Sequence, residues 1–319
     1  MALIQQDQQS VIDVSVIIPV YNAAETIERL ASKILSENNV VIELIIVNDG
    51  SRDGTGSIVQ GICDDRVILV EQENCGVYAA RNAAIAIHRG EWVIFLDADD
   101  DVKDGFIYTR WQMAKKAQAD VVICNAWSTG TGTTKTAAHS QQPYKQCLSG
   151  HDWIRHCVTR HEWPHYLWLQ LIRSSYIRQH ALSFQSGKSH KDILWTINLA
   201  LENGRFYFSD IKDYTYIYNT ESITHRGDYY DIRAASYVEV IAEIIRLAGQ
   251  PKNQDIRLPL FRHALVETRH FLGLYRNNVQ DKSALKTNFR ANIAFKSLFR
   301  GISSFSDAFF FIKLVSKLL

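Results

Sequence analysis

The chain has 319 residues and a mass of 36.5 kDa, enough for one large α/β domain with an extension or for two modest domains. With 46% hydrophobic and 22% charged residues it is neither disordered nor fibrous. A formal charge of +1 leaves no global excess for nucleic acid, although residues 250–319 hold 12 Lys+Arg against 4 Asp+Glu.

Read in chain order, the first half alternates between two periods. Val14 to Val20 is a β-branched run that predicts a buried strand. Asn22, with Glu25 three residues later, predicts a helix N-terminus. A second strand is expected over Ile42 to Val47, a turn at Asp49-Gly50-Ser51 and Asp53-Gly54, and a short helix from near Thr55. A third strand over Val67 to Val70, an Ala-rich helix over Val77 to His88 and a fourth strand over Trp92 to Leu96 follow. Beyond an acidic cluster, Phe106 to Ala117 reads as helix and Val121 to Ala126 as a fifth strand. Strand and helix in repeated alternation imply an α/β fold, with a mostly parallel sheet and helices on both faces. Thr129 to Gln142 has almost no apolar content and reads as an exposed, mobile loop. From Asp228 onward the pattern is helical.

The five cysteines form no C-x-x-C pair, which argues against a disulfide framework or a structural zinc site. Met1 to Ser10 is polar and Gln-rich, unlike a secretory signal, and no window reaches ~18 uncharged apolar residues. The expectation is a cytoplasmic protein.

In such sheets ligands bind at the carboxyl ends of the strands. Asp49 closes the second strand, and Asp97-Ala98-Asp99 closes the fourth, continuing as Asp100 and Asp101. Two carboxylates one residue apart suit a divalent cation with hard oxygen ligands, Mn²⁺ or Mg²⁺. A calcium loop does not fit, because its sixth position is Val102 rather than Gly and its twelfth is Tyr108 rather than Glu. A solvated turn is the plainer alternative.

Four segments in order carry more information than any one alone. Val16-Ile17-Ile18-Pro19-Val20-Tyr21-Asn22, then Val47-Asn48-Asp49-Gly50-Ser51, then Asn74-Cys75-Gly76 with Ala80-Arg81-Asn82, then Phe95-Leu96-Asp97-Ala98-Asp99-Asp100, closely resemble the family 2 glycosyltransferases. The resemblance runs strongly over Val14 to Ala126 and weakens through Arg226. It implies the GT-A fold over residues 1–226, with a nucleotide-sugar half near 12–126 and an acceptor half near 150–226. Residues 227–319 would be a basic helical region. It implies an inverting hexosyltransferase that moves a hexose or N-acetylhexosamine from a UDP-linked donor to a glycan acceptor in bacterial surface-polysaccharide assembly. Pro19, Tyr21 and Asn22 would border the nucleotide, and Asp49 would accept a hydrogen bond from the uracil ring. Asn74, Gly76 and Arg81 would line the sugar diphosphate. Asp97 would approach the ribose or the metal, and Asp99 would hold the cation.

The general base implied by the resemblance is Asp192, in Ser189-His190-Lys191-Asp192, downstream of Trp168. Lys191 stands where the family usually has Glu, and Gln170 where a Lys is common. Asp192 also suits a plain helix cap before Ile193 to Leu201. Arg226 is a candidate for the diphosphate, and a surface arginine is the alternative. His161, His165 and His190 lack ligand spacing and read as structural or surface residues.

Ile293, Phe295, Leu298, Phe299, Ile302, Phe305, Phe309 and Ile312 fall close to one helical stripe among basic residues. Two fates fit the stripe: an anionic membrane surface, matching a lipid-linked acceptor, or docking on the core. Two rival functions remain, a non-catalytic sugar-binding relative and a nucleotidyltransferase. The second would be expected to carry a Gly-rich basic phosphate loop after the first strand, which Pro19-Val20-Tyr21-Asn22 is not.

Overall fold

The computed structural model describes residues 11–129, 135–217 and 229–319. The two longest β-branched runs form fully covered strands: β1 (Val14–Val20) and β2 (Ile42–Asp49) are buried at every position. A strand that is apolar on both faces must be covered on both, and the helices that cover it follow each strand. β1 leads to α1 (Ile27–Leu35), β2 to α2 (Thr55–Gln60), β3 (Val67–Gln72) to α3 (Val77–Ile87), and β4 (Trp92–Phe95) to the two-residue β5 (Asp101–Val102) and α4 (Phe106–Ala117). Beyond them lie β6 (Val121–Thr129), β7 (Lys135–Ala137), β8 (Cys147–Ser149), α5 (Gly150–Arg160), β9 (Gln170–Arg173), α6 (Ser174–Gln179), α7 (Lys191–Leu201) and β10 (Arg205–Ile217).

The sheet order is β3-β2-β1-β4-β9-β6-β10-β5, with β7 pairing β6 and β8 pairing β10. β3, β2, β1 and β4 are mutually parallel, as are β6 and β10. β9 is antiparallel to both β4 and β6 and joins the two parallel groups. Behind it, Arg110 of α4 is fully buried, donating to Asp213 at 2.6 Å and to the Trp168 carbonyl at 2.5 Å. This pair fixes β10 and the turn before β9 to the same helix.

Three expectations need correction. The first helix starts at Ile27, because Asn22 adopts a left-handed φ of 53° and bonds to the loop after β2 instead of capping a helix. The segment expected to be an exposed mobile loop contributes β7, and His139 and Gln142 are buried. Glu162 accepts from the backbone of Ser140 and Gln141 and from the Gln142 side chain, which secures that stretch.

The third correction concerns the C-terminal stripe. The extension comprises α8 (Tyr229–Gly249), α9 (Arg257–Asn277), α10 (Lys282–Asn292), α11 (Phe295–Phe299) and α12 (Phe305–Leu318), so the stripe is divided between two helices and the turns that precede them. Gly301 breaks it, with its backbone pressed on the Phe261 carbonyl where no Cβ fits. After the break the docked face of α12 is Phe310, Leu314 and Leu318, while Phe305, Phe309 and Ile312 of the predicted stripe are exposed. No helix among the described residues is long and apolar enough to cross a membrane.

Candidate active site

At the carboxyl ends of β1, β2 and β3 the chain makes turns that bond to one another. Asn22 accepts from the Arg52 backbone N–H at 2.8 Å, and its own N–H donates to Ser51 Oγ at 2.9 Å. Pro19 lies within β1, and Tyr21 beyond it is 41% exposed. Asp49 is buried and accepts three bonds, from Gln72 Nε2 (2.7 Å), Cys75 N (2.9 Å) and Gly76 N (2.8 Å). It therefore shapes the loop before α3, and a carboxylate's roughly four lone-pair sites leave it about one further acceptor position. Gly50 has φ +72°, and a Cβ there would come within 2.8 Å of the exposed Asn74 backbone N. Gly76, at φ +88°, has open space where a Cβ would stand, so a ligand can approach its backbone.

Arg81 projects from α3 and is buried beside the stacked Tyr78 and Phe184 rings, its guanidinium 5.9 and 5.7 Å from their centroids. Its Nη2 meets Asp97 Oδ1 at 2.9 Å, and its Nε has no hydrogen-bond partner among the described residues. Desolvation raises the pKa of Asp97; Arg81 opposes that shift, and the Asp99 and Asp192 carboxylates add to it. Asp99 is exposed. Asp100 is buried, accepting from the Tyr214 hydroxyl at 2.6 Å and the Ile217 backbone at 2.9 Å. Burial and the nearby Asp97 push its pKa up to about 8.

Asp192 comes from almost a hundred residues downstream, yet it lies close enough to Asp97 to perturb it. The helix it opens starts at Lys191 with His190 as N-cap, so Asp192 sits in the first turn and is not the cap that the sequence allows. Its Oδ2 is 3.8 Å from His165 Nε2, and His165 Nδ1 bonds the Trp163 carbonyl. His165 and His190, read from sequence as structural or surface groups, thus flank the candidate base. Lys191 turns to Glu239 at 2.6 Å, and Gln170 is fully buried, bonding Thr196 and Trp195. Arg226 lies outside the described residues.

Sequence reasoning missed Tyr78, Tyr166 and Tyr214. Tyr78 accepts from the Lys191 N–H at 3.0 Å, and burial with the Asp192 charge raises its pKa. Tyr166, Trp168 and Tyr214 form a near-parallel stack with centroids 4.9 and 4.4 Å apart, leading from the surface to Asp100. Trp168 stands two residues before β9, and no local spacing ties it to Tyr214, forty-six residues on.

Asp97 and Asp99 fit a hard divalent cation by donor type, and Arg81 offsets only part of the carboxylate repulsion on Asp97. Among the described residues no three ligating side chains come together to hold an ion alone. The fit is therefore to a cation that takes its remaining ligands from water and substrate phosphate, the usual habit of Mg²⁺.

The profile of Glycosyl transferase family 2 matches residues 15–176, just over half of the chain. The uncharacterized glycosyltransferase YibD of Escherichia coli K12 is 31% identical over 215 residues, covering 66% of this chain and 62% of its own length. WfaP of Escherichia coli, a UDP-Glc:alpha-D-GlcNAc-diphosphoundecaprenol beta-1,3-glucosyltransferase, is 41% identical over 88 residues, 27% of this chain and 35% of its own. This chain thus spans less than two thirds of either relative. Among solved structures, S. aureus TarS 1-349 aligns with TM-score 0.65 at 18% identity, covering 90% of this chain and 82% of that one. That likeness shows a shared fold.

Proposed function

The chain belongs to glycosyl transferase family 2, and on that premise we propose that it transfers one hexose or N-acetylhexosamine from a UDP-linked sugar to a glycan acceptor with inversion. The observation that carries this reading is the convergence of the Arg81–Asp97 pair, Asp99 and Asp192 at the strand ends, from segments far apart in sequence. Asp192 takes the proton of the acceptor hydroxyl as its oxygen attacks the anomeric carbon opposite the diphosphate. Arg81, with an unpaired Nε inside a buried site, donates to the departing phosphate oxygens. A divalent cation held by Asp99 with Asp97 would supply further charge stabilisation for that leaving group. Pro19, Tyr21, Asn22 and Asp49 border the nucleotide, and Asn74 and Gly76 line the sugar diphosphate.

The donor assignment draws support from WfaP, whose name specifies UDP-glucose, and from TarS, which has been crystallised with UDP-GlcNAc. WfaP's named acceptor is lipid-linked, and the tail suits a matching location. Phe299, Phe305, Phe309 and Ile312 are 59–97% exposed, among the exposed Lys296, Arg300, Lys313 and Lys317. Aromatic groups within a basic surface fit an anionic bilayer. Incubation with Mn²⁺ and a panel of nucleotide sugars tests the transfer reading: nucleotide release from one or more donors is expected. Release from none, with no donor binding, overturns it.

A further inference from the structure

The loop that delivers Asp192 is strapped to α8, residue by residue. Gln185 Nε2 donates to Glu243 at 3.2 Å, the Tyr229 hydroxyl to Ser189 Oγ at 2.9 Å, Arg233 Nε to His190 Nε2 at 3.3 Å, and Lys191 Nζ to Glu239 at 2.6 Å. The Tyr237 ring packs on His190 with centroids 4.5 Å apart. From the opposite side, Tyr78 of α3 takes the Lys191 backbone N–H. Ser189, His190 and Lys191 are thereby held from α8, Lys191 from α3 as well, and Asp192 is the first residue that the strap leaves untouched.

Each contact answers a local demand. Ser189 and Lys191 are almost fully buried, and a buried ammonium requires an anion. His190 sits at φ 58°, a left-handed conformation that a non-glycine residue keeps only when its surroundings hold it there. Its Nε2 accepts from Arg233 while Nδ1 faces Ser189 Oγ at 2.5 Å, one neutral tautomer satisfying both. Lys191, which departs from the family's usual Glu, is matched by an opposite charge on the extension.

We propose that α8 is a positioning element for the general base, with Arg233 and Glu239 as its positioning residues, so that the helical extension belongs to the catalytic unit. This rests on Asp192 being the base. The readout is Mn²⁺-dependent nucleotide release from the UDP-sugar that the wild type turns over. Lys191→Glu and Glu239→Lys should each lower kcat about ten- to a hundredfold, as misplacement of a catalytic group by about 1 Å does, with donor KM unchanged. The double swap should recover most of kcat. Where the reversals do not fold, Tyr229→Phe removes a single hydroxyl and should lower kcat with KM and melting temperature unchanged. Wild-type kcat in folded single variants, or a double swap no better than the singles, overturns the strap. Asp192→Asn in the same assay separates the two readings: if it retains wild-type release, the base assignment itself fails. A wild type that releases nucleotide from no donor overturns both.

Discussion

Carboxylates in two regions of this molecule are shifted in opposite directions. In the helical extension, burial would raise Glu267, but hydrogen bonds from His263 (2.9 Å) and His270 (3.1 Å) overcome it and hold the group far below the carboxylate range. Asp307 is likewise brought down to about 2, burial being outweighed by Arg269, Ser303 and Ser304. At the strand ends the direction is reversed: desolvation raises Asp100, which is buried, and Asp97, whose side chain is 39% exposed, and the neighbouring carboxylates add to both shifts. In the extension the partners that lower each carboxylate come from the fold itself. On the function proposed above, the strand-end cluster completes its charge balance with a cation from outside the chain.

The largest effect should come from breaking a saturated pair. Arg110→Met strands the Asp213 carboxylate in the core and should cost about 3–5 kcal/mol in a denaturant titration. If the loss is below 1 kcal/mol, the distinction between saturated and unsaturated carboxylates is not what holds this scaffold. Asp192→Asn should do the reverse, lowering turnover by at least ~10²-fold with the melting curve unmoved, since Asp192 is not the helix cap. A destabilised variant with normal kinetics would assign Asp192 to the scaffold set.

A smaller effect concerns acid. Asp307 has its folded pKa depressed from an unfolded value of ~3.9, so its contribution is complete above that value and lost as pH falls toward about 2. Asp307→Asn should therefore melt lower than wild type at pH 7 and converge with it near pH 2. Parallel curves across that window would contradict the saturation of Asp307. The smallest effect belongs to the exposed tail aromatics. Phe305→Ser with Phe309→Ser should change stability by no more than about 0.5 kcal/mol yet reduce co-sedimentation with anionic vesicles. Equal sedimentation of both proteins would retire the membrane surface.

The sequence made the parallel half legible because β-branched runs buried on both faces have few alternatives: β1, β2 and α4 fall where the pattern puts them. The acidic cluster was legible for the same reason, being fixed to a strand end. β9 was not, since four residues carry too little periodicity to reveal an antiparallel strand between two parallel groups. The tail stripe failed because Gly301 resets the helical phase, and pattern counting runs straight through a break. The partners of Lys191 and His190 were invisible because they lie on α8, some forty residues away, and tertiary pairing leaves no mark on local spacing.

The central claim, that the strand-end carboxylates await a cation and a nucleotide diphosphate, is tested most directly by calorimetric titration of UDP into the protein with Mn²⁺ and with EDTA, for wild type and for Asp99→Ala. Wild type should bind UDP in Mn²⁺ and lose that affinity in EDTA, while the folded variant should bind weakly in both. Equal binding by both proteins in EDTA would contradict the account.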